Sequence, residues 1–160
     1  MRFSHSQRIV PYWLDRLSTV QSLIFTGYGP HSATARQAAQ TVAEWAKITA
    51  MGISAGALRH GFIELVGDVA GFVLFTPPGN SVALAHQLAA DLEQIHARLI
   101  TVENGWTIGM ENGPGPLEPV DEFLSPLLDV LPIQLFSEAM AVQRGIQPGF
   151  RHISKIVRQL

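Results

Sequence analysis

Cysteine is missing altogether from these 160 residues. That removes disulfides, thiolate metal sites and any cysteine nucleophile from consideration. Charge is scarce as well, 15% of residues with a formal net charge of -2, so there is neither a basic field for nucleic acid nor an acidic tail for a basic partner. No run approaches the roughly 18 apolar residues of a membrane span, and MRFSHSQRIV lacks a signal peptide's apolar core, so a soluble cytoplasmic protein with no membrane partner is expected. What is present is apolar surface: 47% hydrophobic residues and a mean hydropathy of +0.19. With so few charges to cover the outside, part of that surface is expected to be buried between subunits. The length suits one compact domain with its own core.

Helical spacing of Ile9, Val10, Trp13, Leu14 and Leu17 predicts an amphipathic helix over 5–18, with Pro11 in its first turn or bending it. A buried strand over 23–26 then runs into Gly27-Tyr28-Gly29-Pro30, and an alanine-rich helix from about 32 to 49 follows. Strand, glycine turn and helix make an α/β signature. Two glycines around a tyrosine fall short of a dinucleotide fingerprint, so a tight structural turn is the favoured reading over a phosphate cradle.

Further on, 69–75 and 99–102 read as strands. Between them a helix capped by Asn80 or Ser81 runs to about 97, with Val82, Leu84, Ala85, Leu88, Leu92 and Ile95 inward. The glycine- and proline-rich stretch 104–119 has room for a short edge strand. His86 and His96 lack metal-ligand spacing and read as surface or helix-end residues. Residues 121–144 predict a helix apolar on several faces, bent or staggered by Pro126 and Pro132 and ended by Gly145, lying between the sheet and another subunit or domain. The expected fold is a three-layer αβα sandwich with a mostly parallel sheet, in one domain: leading helix 1–18, core 19–144 and a basic tail 145–160.

Chemistry is suggested by Glu44 to Gly61, EWAKITAMGISAGALRHG, which sets a carboxylate on one helix and an imidazole, His60, at the end of the next. Such a pair suits proton transfer. Spacing alone favours structural roles: Glu44 paired with Lys47, and Arg59-His60-Gly61 as a cationic helix end with a glycine cap.

The order of SLIFTGYGP, a helix ending in Glu44, GALRHG and a final RHISKIV resembles the second sugar-isomerase (SIS) domain of glucosamine-6-phosphate synthase and of the related fructosamine-6-phosphate deglycases, over nearly the whole chain. That family's motifs G-R-G-P, G-E-L-K-H-G and R-x-x-x-K followed by an aliphatic residue align with Gly27 to Pro30, Gly56 to Gly61 and Arg151 to Ile156. The resemblance implies a flavodoxin-like fold, a sugar phosphate or amino-sugar phosphate as substrate, and isomerase or deglycase chemistry with no cofactor and no metal. It implies Glu44, His60 and Lys155 as catalytic groups, with Gly27, Tyr28, Gly29, Arg59, Arg151 and His152 at the substrate. It also implies that the histidine reaches a neighbouring subunit's site, so that a homodimer or a separate SIS half completes it. The departures are specific: Thr41 replaces a lysine, Ala57 replaces the glutamate of the middle motif, and Thr76-Pro77-Pro78-Gly79-Asn80-Ser81 has no S-x-S-G phosphate loop. Release of ammonia from glutamine needs a cysteine nucleophile, which is absent. The alternative is a non-catalytic phosphosugar-binding or assembly module, or half of a two-domain enzyme.

Overall fold

The computed structural model describes residues 3–107 and 120–149. Five strands, β1 (Ser22–Gly27), β2 (Thr49–Ser54), β3 (Ala70–Thr76), β4 (Arg98–Glu103) and β5 (Trp106–Thr107), form one sheet in the order β2-β1-β3-β4-β5. All neighbours are parallel except β4 and β5, which are joined through a tight turn. Among the described residues five α-helices surround it: α1 (Phe3–Leu17), α2 (His31–Ala46), α3 (Ala55–Arg59), α4 (Val82–Gln94) and α5 (Ser125–Gln143). This is the expected αβα sandwich.

Strand residues alternate between the two faces. Leu23, Phe25, Val73, Phe75, Ile100 and Val102 pack with α1, α2 and α5. Ile24, Phe72, Leu74 and Leu99 pack with α3 and α4. Both faces are covered, which is why β1 and β3 read as continuous apolar runs rather than as alternation. The chain leaves β1 through α2 to β2 on one side, and leaves β3 through α4 to β4 on the other. Right-handed crossovers in opposite directions put α2 and α4 on opposite faces. The strand order therefore reverses between β1 and β3, opening a crevice at their carboxyl ends.

Several expectations are corrected. The alanine-rich helix stops at Ala46, where Lys47 turns left-handed at φ 54°, and residues 49–54 form the unforeseen edge strand β2. Gly52 is the reason this strand can lie under α2: a Cβ there would stand 2.4 Å from Ala35 O and Arg36 Cα. Pro11 sits mid-helix rather than in the first turn of α1. It is solvent-exposed there, and it leaves one turn of the helix without its N–H donor. Trp13 pins this helix across the fold, its Nε1 donating to Thr107 Oγ1 at 2.8 Å and its ring meeting Phe136 edge-on at 5.3 Å. Helix α4 turns only Ala85, Leu88 and Leu92 fully inward, leaving Leu84 and Ile95 exposed, and Ser81 makes no side-chain cap bond. Pro126 occupies the first turn of α5, where no N–H is needed, and the helix continues unbroken through buried Pro132. Gly145, at φ 65°, ends it as a Schellman motif, with Gly145 N–H donating to Val142 O and Ile146 N–H to Ala141 O. Only one face of α5 is buried; the other carries exposed leucines.

Candidate functional site

The residues singled out by sequence fall at two ends of the sheet. Gly27 and Ser54 are register partners at the carboxyl ends of β1 and β2, so the loop after β1 and the α3 turn lie side by side. Gly27 admits no side chain, since a Cβ would come within 2.7 Å of His31 Cβ. Gly29 takes φ +51°, and the N–H groups of His31, Ser32 and Ala33 bond back to Tyr28, Gly29 and Pro30 carbonyls. Ser32 Oγ closes the turn onto Gly27 O at 3.0 Å. Beside it, Tyr28 hydrogen-bonds the Arg59 guanidinium, which also pairs with Asp91 at 2.7 Å. Those contacts, Tyr28 first and Asp91 second, hold Arg59 above its ordinary value. The Gln87 amide and then Arg59 depress Asp91. His60 follows directly, exposed, as the cap of α3. Gly27, Tyr28, Gly29, Arg59 and His60 thus gather at one end.

Glu44 belongs to the other end. It stands thirteen residues along α2 from His31, about 20 Å by helical rise, and β2 runs back about 17 Å before α3 begins. Within one protomer the glutamate and His60 sit at opposite ends of the strands. Glu44 is half-buried, and its Oε1 accepts from Gln40 Nε2 at 3.0 Å. The expected Glu44–Lys47 ion pair is not formed. Lys47 Nζ donates to the Glu44 backbone carbonyl and to Gly149 O, the latter at 2.6 Å. This clamps the segment after α5 beside the end of α2. Arg151, His152 and Lys155 lie outside the described residues.

Sequence reasoning missed a polar cluster at the crevice. His31 Nε2–H donates to Asp129 Oδ2 at 2.6 Å with both side chains fully buried, and Ser125 Oγ lies 3.4 Å from the same nitrogen. Asp129 Oδ1 accepts from Gly105 N–H at 2.5 Å. One carboxylate therefore ties together α2, α5 and the β4–β5 turn. Glu122, just before α5, aims Oε1 at Gly29 and Oε2 at Gly79; Cβ atoms on those glycines would stand 3.3 and 3.0 Å away. Spacing offers no signal for these contacts, because they join residues 24 to 98 positions apart. Among the described residues no cluster of three metal-ligating side chains occurs, and no helix is long and apolar enough to cross a membrane.

Comparisons with known proteins agree with this architecture. A glutamine--fructose-6-phosphate aminotransferase [isomerizing] from Nostoc sp. (strain PCC 9229) is 31% identical over 157 residues, covering 94% of this chain and 25% of the relative. The chain thus spans about a quarter of the length of such relatives. Among solved structures, the C-terminal domain of glucosamine-fructose-6-phosphate aminotransferase from Francisella tularensis superposes with a TM-score of 0.78 at 20% identity, over 93% of this chain and 43% of that one. Tagatose-6-phosphate ketose/aldose isomerase from Escherichia coli does so with 0.70 at 21% identity, over 92% and 44%. The SIS domain profile matches residues 16–113, well over half of the sequence, and with the doubly wound sheet described above it establishes that this chain belongs to the SIS domain family.

Proposed function

We propose that this SIS domain processes a six-carbon sugar phosphate or its amine adduct by general acid-base chemistry, as an isomerase or deglycase, in a site assembled from two chains. Glu44 moves protons between the first two sugar carbons. His60 of a second subunit opens the ring or protonates the leaving group, and Lys155 of the tail approaches the sugar. The observation that supports this division is the placement of Glu44 and His60 at opposite ends of the strands of one protomer, which leaves each end with half of a proton-transfer pair. The Lys47 clamp adds to it. Lys155 lies six residue steps beyond Gly149, and that length of extended chain reaches about 20 Å, ample to return the lysine to Glu44. Tyr28, Gly29 and Arg59, with Arg151 and His152 from the tail, would contact the substrate.

Glu44→Gln tests the reading. With fructosamine 6-phosphate, and with fructose and glucose 6-phosphates, turnover should fall by about a hundredfold or more while the thermal midpoint holds. Wild-type protein with no turnover on any of these, yet measurable binding by calorimetry, would instead make the chain a phosphosugar-binding or assembly module. The missing S-x-S-G loop and the substitutions at Thr41 and Ala57 favour that second reading.

A further inference from the structure

The crevice between β1 and β3 is where a doubly wound sheet ordinarily takes its ligand, and here a side chain of the protein itself stands in it. Half-buried Glu122 sets Oε1 beside Gly29, in the loop after β1, and Oε2 beside Gly79, in the loop after β3. Both glycines hold positive φ, +51° and +97°, and they leave between them a gap one carboxylate wide. Among the described residues no cation pairs with Glu122. The positive potential at the gap comes from helix ends. α2 begins two residues after Gly29 and α4 three after Gly79, and neither start has a side-chain cap. Thr26 and Thr76, at the ends of the two strands that bound the crevice, are fully buried with hydroxyls that make no hydrogen bond. Two uncapped helix starts, two bare glycines and two unpartnered hydroxyls suit an anion. Glu122 supplies one, and it is held in place: Ser125 Oγ donates to its backbone carbonyl at 3.0 Å and lies 3.4 Å from His31 Nε2, inside the buried network with Asp129.

We propose that Glu122 is an internal anion that closes this crevice to phosphate, and so determines which part of a sugar phosphate the domain can hold. A phosphate group is about as wide as a carboxylate and carries the same sign of charge, so the two cannot share the gap. No cation at this end is free to relieve the repulsion by moving in. Arg59 is already paired with Asp91 at 2.7 Å and hydrogen-bonded to Tyr28, and His86 faces Glu103 at 3.6 Å. Uncharged sugar hydroxyls are not excluded, because a carboxylate accepts hydrogen bonds from them. Any sugar phosphate bound here therefore has its phosphate outside the crevice. The exclusion goes beyond the catalytic reading and does not depend on it, since inorganic phosphate alone is enough to test it.

Titration of the full chain with inorganic phosphate, followed through the amide resonances of Gly29 and Gly79, is the test. In wild type neither resonance should move. In Glu122→Ala both should shift saturably, with an affinity at least about tenfold above any wild-type response. The thermal midpoint of that variant should lie about 2–6 °C below wild type, because two helix starts have lost their anion. Phosphate should raise it by more than it raises wild type, the general salting-out effect being common to both. If Glu122→Ala does not fold, Glu122→Gln, which keeps the volume and removes the charge, takes its place, and the same gain over wild type is expected. Phosphate-induced shifts at Gly29 and Gly79 in wild type, or a folded Glu122 variant that gains no phosphate binding, overturn the proposal. The two readings fail separately. A gain of binding in a chain without turnover leaves the internal anion standing and removes catalysis, whereas turnover by a wild type that seats phosphate at Gly79 does the reverse.

Discussion

Asp129→Ala is the most informative stability perturbation available in this fold. It leaves His31 Nε2 and the Gly105 N–H without their acceptor in a region with no solvent access at the two side chains. Each buried donor left without its acceptor typically costs about 1–3 kcal/mol, so losing the acceptor of both should cost about 3–5 kcal/mol, more than a surface bridge is worth. With a urea m-value of about 2 kcal/mol/M the unfolding midpoint should fall by roughly 1.5–2.5 M, and the thermal midpoint by about 6–20 °C. Asp129→Asn keeps an acceptor for Gly105 and nearly the same volume, so it should lose only about 1–2 kcal/mol. His31→Ala and the double variant complete a cycle whose coupling should be at least about 2 kcal/mol. A coupling below about 0.5 kcal/mol, or an Asp129→Ala variant as stable as wild type, would refute the claim that this pair locks the three segments around the crevice.

Other expectations follow from individual positions. Gly52→Ala should destabilise by about 2–3 kcal/mol, because the added Cβ meets α2 backbone that cannot move aside, whereas Gly56→Ala, with nothing within 4 Å, should be neutral or stabilise α3 by up to about 1 kcal/mol in urea titrations. Asp91 is depressed in the folded state, so its contribution is complete above the ordinary carboxylate value of 3.8 and is lost as pH falls through the lowered one. Asp91→Asn should flatten the thermal midpoint against pH below about 4, and an unchanged acid slope would count against the Gln87 and Arg59 contacts.

Much of this protein was legible in its sequence. Both-sided burial of β1 and β3 made them continuous apolar runs, and glycines and prolines marked their ends, so local physics announced a parallel sheet. Motif order announced the family. β2 stayed hidden because TAMGIS is an edge strand with little buried surface, and its glycine serves the close passage of α2 rather than a turn. The exposed side of α4 was misjudged for a related reason, since Leu84 and Ile95 are apolar without being inward. The sequence by itself decided composition, class, family and the residue types available for proton transfer. Only the tertiary structure decided which of them meet. It separated Glu44 from His60 by the length of a strand, joined His31 to Asp129 across 98 positions and laid Glu122 between two glycines. Such contacts depend on crossover direction and strand order, which are set by the packing of the whole chain and leave no local period to read.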